Sequence, residues 1–588
     1  MELTAGFTPA EVGGYMAFTP TLAWRGHGSG EDYPPNPACR FVGCPCRLHC
    51  IGPKLDEIVV GRTEPAVLQL MTLRHGHFTG AGYTYDAQSE PSPERLAFLA
   101  LLNRHRPPEV SGPFQLLELG CGQGVQLCLQ AANYPQAHFL GIDFNAEHIA
   151  HARSLAAATG LGNIRFEQAD FLELEQAAGG CMTWGEFDFT VAHGILSWVS
   201  PAVRLSLMRL AERALRPGGL FYLSYNTLPG WLPMLPFQHG VSSLQGPRGD
   251  GQPALDAARA LFHGLRQANA LVFNSQPQLA PRLEDLGKMD PAYLLHEYNH
   301  SHWQPLYANQ VIEPLRELGL RYLGSATLAE NFEGLLPVPA QQQIQLQSDP
   351  GLRELVRDLV TNQSFRRDVY VKGIDPLWPL EAGAALEQVR LCSLLDQDAL
   401  DDEGSYRFPL AWGEIQANRD WMRALLDGLG DGARSLAELR PSIPPGTPQL
   451  SLLQNLGLLL GRKAVALVPG ERDPAPSQRF NVHIAASVAA GANYSALACP
   501  VSGNLHKLTG MEFLALNALN QGCSEADLAG AIDAGLKRLD QLLLRDGQPV
   551  PEGQRQAELE RLADDFRRRC LPLLRRLGVL ATGALQPN

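Results

Sequence analysis

Three glycines within five residues are the first feature of the sequence that could do chemistry. Gly120, Gly122 and Gly124 follow the apolar run Phe114–Leu119, which carries the acidic residue Glu118 near its end. Glycine has no Cβ and tolerates positive φ, so a turn of this composition lets the backbone approach a ligand closely. A glycine-rich turn between a strand and a helix serves several nucleotide-containing cofactors, and by itself it does not choose between them.

Two acidic residues farther along the chain narrow the choice between NAD, FAD and S-adenosylmethionine. The loop has the spacing G-x-G-x-G, whereas the dinucleotide fingerprint is G-x-G-x-x-G. Asp143 closes the second apolar run, where a carboxylate can accept hydrogen bonds from both ribose hydroxyls. Asp170, followed by Phe171, comes just after the third apolar run, where an acidic group can receive the adenine amino group.

Each of these residues also has an ordinary structural interpretation. Gly120 can form a simple turn, Asp143 can cap a helix, and Asp170 can lie in a surface loop. Their order on consecutive predicted strands favours the functional interpretation. The sequence therefore predicts an S-adenosylmethionine site formed by Glu118, Gly120, Gly122, Gly124, Asp143, Asp170 and Phe171.

The elements that must position this site alternate between strands and helices. Short apolar runs predict strands at Phe114–Leu119, Phe139–Ile142, Ile164–Glu167, Phe187–Ala192 and Leu220–Ser224. Helical patterns lie between them at Val125–Ala132, Ala146–Thr159 and Val203–Leu215, and an earlier helix begins at Ser92 and Pro93. Such alternation is typical of an α/β fold with a parallel, doubly wound, Rossmann-like sheet, which is the fold expected of an S-adenosylmethionine-binding domain if the predicted site is correct.

A chain of 588 residues is too long for one hydrophobic core, and we predict four parts. Residues 1–75 form a poorly ordered extension rich in Cys, Gly and Pro, and residues 76–348 form the methyltransferase domain. A helical region inserted at about 231–309 interrupts the sheet and covers the active site, before Ile312–Leu318 and Tyr322–Ala326 resume the alternation. Residues 349–440 form a helical middle domain, and residues 441–588 form a mostly helical C-terminal domain.

The charge balance and the apolar runs restrict the partners. Lys and Arg total 48 against 61 Asp and Glu, and the net charge of −13 disfavours a general nucleic-acid binder. No run of about 18 apolar residues predicts a membrane span. The N-terminus lacks the apolar core of a secretory signal, so we expect a cytoplasmic protein.

Two patterns resemble metal sites, and we expect no metal at either. Cys39, Cys44, Cys46 and Cys50 cluster beside His49, but without the paired C-x-x-C of familiar zinc sites. A disordered extension fits this segment better, and translation from Met71 is a further alternative. His296–His300 matches the zinc-binding pattern H-E-x-x-H. The His and Glu content of the chain allows such a match by chance, and no apolar helix continues from it.

Several stretches identify the chain as similar to class I methyltransferases that carry a methyltransferase regulatory domain, a group containing the rickettsial lysine methyltransferases of outer-membrane proteins. The stretches are Tyr85–Asp86, Ala192–Val199, Ser224–Trp231, Leu295–Tyr298, Trp303–Tyr307 and Phe365–Arg367. The resemblance covers the chain from about Tyr83 to its end, is specific at Tyr225–Trp231 and becomes diffuse after about Gly373. It implies S-adenosylmethionine as cofactor, a protein lysine as substrate, a homodimer and a winged-helix-like C-terminal domain.

Candidate catalytic residues follow the fourth and fifth strands, which face the transferred methyl group in this fold. His193 could accept a proton from a lysine amine, and Tyr225 and Asn226 could orient that amine by hydrogen bonds. Trp198 could form a wall of a lysine channel and attract an ammonium group through its ring. Each also fits a purely structural role. Two other functions stay open at this stage: a methyltransferase acting on small molecules, and a cofactor-binding regulator without turnover.

Overall fold

A seven-stranded sheet positions the predicted site. The computed structural model describes residues 72–74, 77–79, 85–177, 185–245, 251–289, 291–373, 375–395, 406–410, 413–545 and 548–580. The predicted extension and its cysteine cluster lie outside these residues, except that β1 (Thr72–Arg74) pairs with β2 (His77–Thr79) in a small antiparallel hairpin.

Five parallel strands alternate with helices in the first part of the sheet. They are β3 (Gln115–Leu119), β4 (His138–Asp143), β5 (Ile164–Gln168), β6 (Phe187–Ala192) and β7 (Leu215–Asn226). The helices are α1 (Pro93–Leu102), α2 (Val125–Asn133), α3 (Ala146–Ala158), α4 (Phe171–Ala177) and α5 (Pro201–Ala214). The predicted α/β class and doubly wound sheet are confirmed, and α4 was not predicted.

The strand order is β5-β4-β3-β6-β7-β9-β8, where β8 is Leu320–Ser325 and β9 is Phe365–Lys372. The order reverses between β3 and β6, so the carboxyl ends of these strands open a crevice, the usual place for a ligand in such sheets. β9 runs antiparallel to both β7 and β8. The sheet therefore extends beyond residue 348, the predicted end of the methyltransferase domain, because β9 inserts between two strands that precede it in the chain.

The region inserted after β7 is helical, as predicted, and has a small core of its own. It contains α6 (Leu235–Leu244), α7 (Gly251–Gln267), α8 (Leu271–Ser275), α9 (Leu279–Leu286) and α10 (Pro291–Tyr298). Phe237, Phe262 and Tyr298 pack edge to face in that core. After α10 the chain returns to the sheet, where Thr227 pairs with Leu306 in a parallel bridge.

The remaining elements are mostly helical, with short strands between them. The helices are α11 (Ala308–Glu317), α12 (Val338–Gln345), α13 (Pro350–Thr361), α14 (Pro379–Glu387), α15 (Arg419–Leu429), α16 (Leu436–Leu439), α17 (Gln449–Gly461), α18 (Ala475–Ala489), α19 (Gly510–Asn520), α20 (Leu528–Arg538), α21 (Glu552–Asp565) and α22 (Leu571–Arg576). The strands are β10 (Arg390–Ser393), β11 (Arg407–Leu410), β12 (Gly413–Gln416), β13 (Arg434–Ser435), β14 (Val465–Leu467), β15 (Ala496–Cys499), β16 (Asn504–Lys507), β17 (Leu544–Arg545) and β18 (Gln548–Pro549). Among the described helices, none is long and apolar enough to cross a membrane.

Candidate active site

The glycine loop between β3 and α2 adopts the backbone conformation for which its composition is suited. Gly120, Gly122 and Gly124 have φ values of 78°, 52° and 74°. A Cβ on Gly124 would lie 2.5 Å from Ala152 Cβ and 2.9 Å from the ring of Phe166, so a side chain has no room there. The loop can therefore bring its backbone close to a ligand, as the sequence predicts.

Asp143, at the end of β4, holds this loop in place. Its Oδ2 accepts a hydrogen bond from the Gly122 backbone N–H at 2.9 Å, and its Oδ1 accepts one from the Asn145 N–H at 2.9 Å. The N-cap of α3 is Asn145, whose side chain accepts a hydrogen bond from the Glu147 N–H. The carboxylate of Asp143 thus borders a pocket beside the glycine loop instead of capping the helix.

Asp170 and Phe171 lie at the start of α4, where they form another part of the same pocket. The Asp170 Oδ1 accepts a hydrogen bond from the Leu172 N–H at 2.8 Å. Asp170 therefore stabilises the first turn of α4 and at the same time borders the pocket.

Glu118 provides a test of whether the predicted cofactor fits. Burial raises the pKa of its carboxyl to about 8, and the neighbouring Asp143 adds to the rise. Its Oε2 is buried without a hydrogen-bond partner among the described residues. S-adenosylmethionine carries an amino group that can donate to such an acceptor, and pairing would offset the cost of burying the carboxylate. The residues present fit the cofactor.

A single cavity of about 600 Å³ joins these groups to the predicted catalytic residues, a size usual for small-molecule sites. Its lining includes every predicted cofactor residue and three of the four predicted catalytic residues: Glu118, Gly120, Gly122, Gly124, Asp143, Asp170, Phe171, His193, Trp198 and Asn226. The fourth, Tyr225, is not part of the lining.

The buried carboxyl of Glu297, which was not among the predicted site residues, lies beside Asn226 at this cavity. Asn226 Nδ2 donates a hydrogen bond to Glu297 Oε1 at 2.7 Å. Trp303 Nε1 donates to the same oxygen at 3.3 Å, and the Tyr293 hydroxyl lies 3.4 Å from Oε2. Burial raises the pKa of Glu297 to about 7, although these hydrogen bonds oppose the rise. Glu297 can therefore gain or lose a proton near neutral pH.

The signal that could have identified Glu297 was present in the sequence. It lies in Leu295–Tyr298, one of the stretches that carry the family resemblance, but it also falls within the H-E-x-x-H match. As part of a chance metal pattern, Glu297 was not predicted to be a site residue. No group of three or more metal-ligating side chains occurs within the part of the chain that the structure describes.

Aromatic rings form the walls around Glu297. Trp198 Nε1 donates to the backbone carbonyl oxygen of Glu297 at 3.3 Å, which ties the end of β6 to α10. Trp231 borders the cavity and packs against Trp303 with their ring centroids 5.4 Å apart. These rings can exclude water and attract a cation to the carboxyl.

His193 borders the cavity, but its environment makes it a weak base. Its Nδ1 lies 3.0 Å from the Tyr222 hydroxyl and 3.1 Å from Ser224 Oγ. Burial, with a smaller contribution from the nearby Arg367, lowers its pKa to about 4. His193 is therefore neutral near pH 7, and Glu297 is the better proton acceptor in the cavity.

The prediction for Tyr225 was wrong, because its side chain points away from the cavity. Successive residues of a strand face opposite sides of the sheet, so Tyr225 cannot share the cavity with Asn226. The Tyr225 ring is fully buried, and its hydroxyl donates to Asp368 Oδ2 at 2.8 Å. Asp368 is also bound by Arg366, so Tyr225 belongs to a buried polar cluster beneath the sheet.

Substitution of Tyr225 by Phe is expected to affect stability and leave catalysis intact. Loss of the hydrogen bond to Asp368 should lower the free energy of unfolding by about 1 kcal/mol. The values of kcat and of the cofactor Kd should stay near those of the wild type. Denaturant unfolding and a cofactor titration check this. A large fall in kcat without loss of stability would return Tyr225 to the active site.

Two family models match the chain. Residues 113–245 match a methyltransferase domain, and residues 290–372 match a predicted methyltransferase regulatory domain. The first match holds the glycine loop and Asn226. The second holds Glu297 and β9.

Relatives and solved structures extend these matches. An uncharacterized protein of Synechocystis is 31% identical over 519 residues, which cover 87% of this chain and 100% of that protein. An uncharacterized protein of Rickettsia prowazekii is 28% identical over 282 residues, covering 47% of this chain and 49% of that one. The structure of PKMT2 from Rickettsia typhi in complex with AdoHcy shares the fold, with a TM-score of 0.60 at 20% identity, and covers 85% of this chain and 100% of that one.

Proposed function

This chain belongs to the class I S-adenosylmethionine-dependent methyltransferases that carry a methyltransferase regulatory domain, and we propose that its methyl acceptor is a lysine side chain of a protein. The observation that carries the proposal is the buried Glu297 carboxyl, held by Asn226 in an aromatic-walled part of the cofactor cavity. A carboxylate in such a place suits an acceptor that arrives as a cation.

The reaction needs a neutral amine beside the cofactor. S-adenosylmethionine would supply an activated methyl group, whose bond to the sulfonium sulfur breaks as the bond to nitrogen forms, with the electron pair staying on sulfur in S-adenosylhomocysteine. A free lysine has a pKa near 10.4, so the protein must remove a proton from its ammonium group. In the proposal, Glu297 attracts the ammonium and takes that proton on its carboxylate. The nitrogen lone pair is then free to bond with the methyl carbon.

The residues around Glu297 set its position and its basicity. Asn226 Nδ2 and Trp303 Nε1 both donate to Oε1, which fixes the carboxyl plane. Oε2 accepts the longer hydrogen bond from the Tyr293 hydroxyl, at 3.4 Å, and is the oxygen proposed to take the proton from the amine. Trp198 and Trp231 exclude water from the amine and lower its pKa by desolvation. Catalysis of this kind is largely positioning of the nucleophile.

The inserted helices favour a macromolecular acceptor. Glu297 comes from α10 and Trp231 from the start of the insertion, so the inserted helices supply part of the acceptor side, whereas the predicted cofactor residues follow β3, β4 and β5. The homodimer implied by the family resemblance stays a prediction.

Label transfer tests the proposal. The purified protein is incubated with S-adenosylmethionine labelled in its methyl group and with a cell extract that includes envelope proteins, and macromolecules are then separated from small molecules. We expect base-stable label in a protein band. Label in the small-molecule fraction alone would support a small-molecule acceptor instead. Absence of label in both fractions, with cofactor binding intact, would favour a regulator without turnover.

A further inference from the structure

The C-terminal part of the chain reaches the cofactor side of the cavity. Tyr494 lies just before β15, far along the chain from the glycine loop, yet its hydroxyl is 3.1 Å from Nε2 of His151 on α3. The other ring nitrogen of His151, Nδ1, is 2.8 Å from the backbone carbonyl oxygen of Gln123. Gln123 lies between Gly122 and Gly124 and borders the cavity.

The chemistry of these contacts fixes their direction. A carbonyl oxygen only accepts hydrogen bonds, so His151 Nδ1 must carry the proton and donate it to Gln123. In neutral His151 the opposite nitrogen, Nε2, is then an acceptor, and the Tyr494 hydroxyl donates to it. A continuous chain of hydrogen bonds thus runs from Tyr494 through His151 to the middle of the glycine loop.

A second contact joins the same two parts of the molecule. Asp86 borders the cavity and accepts hydrogen bonds from Lys507 Nζ at 2.6 Å and from Ser495 Oγ at 2.8 Å. Burial favours the neutral form of Asp86, but the bonds to Lys507 and Ser495 outweigh it and hold the pKa of Asp86 below its usual value. The Asp86–Lys507 pair is more than one-third exposed on both sides, so it adds little to stability and mainly fixes position.

The ring of Tyr85 closes the space between these contacts. Its centroid lies 5.1 Å from that of His151 and 5.1 Å from that of Tyr494. Packing on both rings restrains the His151 imidazole in the plane in which it meets the Gln123 carbonyl. Restraint of the ligand-binding loop before the ligand arrives lowers the entropy cost of binding.

We propose that Tyr494 is a positioning residue of the cofactor site, and that the segment from Tyr494 to Lys507 completes this site by holding the glycine loop and Asp86 in place. The C-terminal part is then a component of the cofactor site, so displacement of this segment lowers the affinity for S-adenosylmethionine. This inference concerns cofactor binding alone and does not depend on the nature of the methyl acceptor.

A single-atom variant of the full chain tests the proposal. Tyr494→Phe keeps the ring that packs on Tyr85 and removes only the hydroxyl. We expect the Kd for S-adenosylmethionine, measured by calorimetry, to rise about threefold to tenfold, the equivalent of one lost hydrogen bond. The KM for the cofactor should rise in proportion, and kcat at saturating cofactor should stay near the wild-type value. Tyr307→Phe makes the same chemical change outside the cavity lining and is the matched control.

The melting temperature separates positioning from a general structural role. Tyr494→Phe should melt near the wild-type temperature while it binds the cofactor more weakly. An unchanged Kd for the cofactor would overturn the proposal, whether or not the melting temperature falls. If Tyr494→Phe does not fold, Lys507→Met, which frees Asp86 at the exposed edge, must raise the cofactor Kd without lowering the melting temperature. An unchanged Kd in that variant would overturn the proposal equally.

Discussion

Substitution of Glu297 by glutamine is expected to lower kcat for methyl transfer by roughly 10²- to 10⁴-fold, the usual contribution of a general base. Glutamine has the same shape and keeps an oxygen that can accept the hydrogen bond from Asn226, but it cannot take a proton. The cofactor Kd should stay near the wild-type value, because the cofactor residues lie on other elements. Single-turnover kinetics with saturating cofactor measure the effect.

The pH profile gives this prediction a second readout. Glu297 must be ionised to accept a proton, and burial places its pKa at about 7. The wild-type rate should therefore fall as the pH drops through about 7, where the carboxyl becomes protonated, and should rise above it. Glu297→Gln should lose this inflection and keep only the dependence that comes from titration of the acceptor amine at higher pH.

Glu284→Gln is the matched control for Glu297. It makes the same chemical change on α9 of the same insertion, where Glu284 is exposed and pairs with Arg266. Its rate and pH profile should resemble those of the wild type. Wild-type turnover in Glu297→Gln would remove the general base from the proposed mechanism and leave desolvation alone to lower the pKa of the amine.

Among substitutions outside the acceptor side of the cavity, Gly124→Ala is expected to weaken cofactor binding the most. Alanine at φ of 74° costs about 1–2 kcal/mol, and its Cβ would meet Ala152 and Phe166, which are both buried. Relief of that clash must move the loop, so the cofactor Kd should rise at least about tenfold and the free energy of unfolding should fall by about 2 kcal/mol or more. Calorimetry and denaturant unfolding measure the two effects.

Gly218→Ala separates backbone strain from the clash. Gly218 also has positive φ, at 82°, but a Cβ there meets no atom within 4 Å, and the residue lies outside the cavity lining. Backbone strain alone should lower the free energy of unfolding of this variant, by about 1 kcal/mol. The variant should bind the cofactor as the wild type does. Equal cofactor affinity in the Gly124 and Gly218 variants would mean that the glycine loop does not form the cofactor site.

The grouping of the predicted cofactor residues around one cavity could be predicted from the sequence because these residues follow consecutive strands. The strands form apolar runs of regular length, and parallel strands bring their carboxyl ends together. Asp143 and Asp170 could therefore be placed near Gly122 without any structure. The role of Asp143 in holding the Gly122 N–H could not be predicted, because it depends on side-chain geometry at the strand end.

The acceptor half depends on contacts between distant parts of the chain. Glu297 reaches Asn226 only because the whole insertion folds back and pairs Leu306 with Thr227. The prediction for Tyr225 was wrong for a local reason. A shift of one residue along a strand moves the side chain to the other face of the sheet, and the sequence does not show which face of β7 borders the cavity. β9 was not predicted because it follows several helices in the chain, where strands and helices no longer alternate. It nevertheless pairs between β7 and β8.

Hydrolysis of the labelled protein to free amino acids tests the central claim most directly. The label carried by the protein substrate should appear on the Nε of lysine, and its amount should fall in proportion to the lower kcat when Glu297→Gln replaces the wild-type enzyme. Label released as methanol during hydrolysis, which indicates a carboxyl ester, or label recovered on arginine or cysteine would contradict lysine as the acceptor, and with it the role proposed for the Glu297 carboxylate.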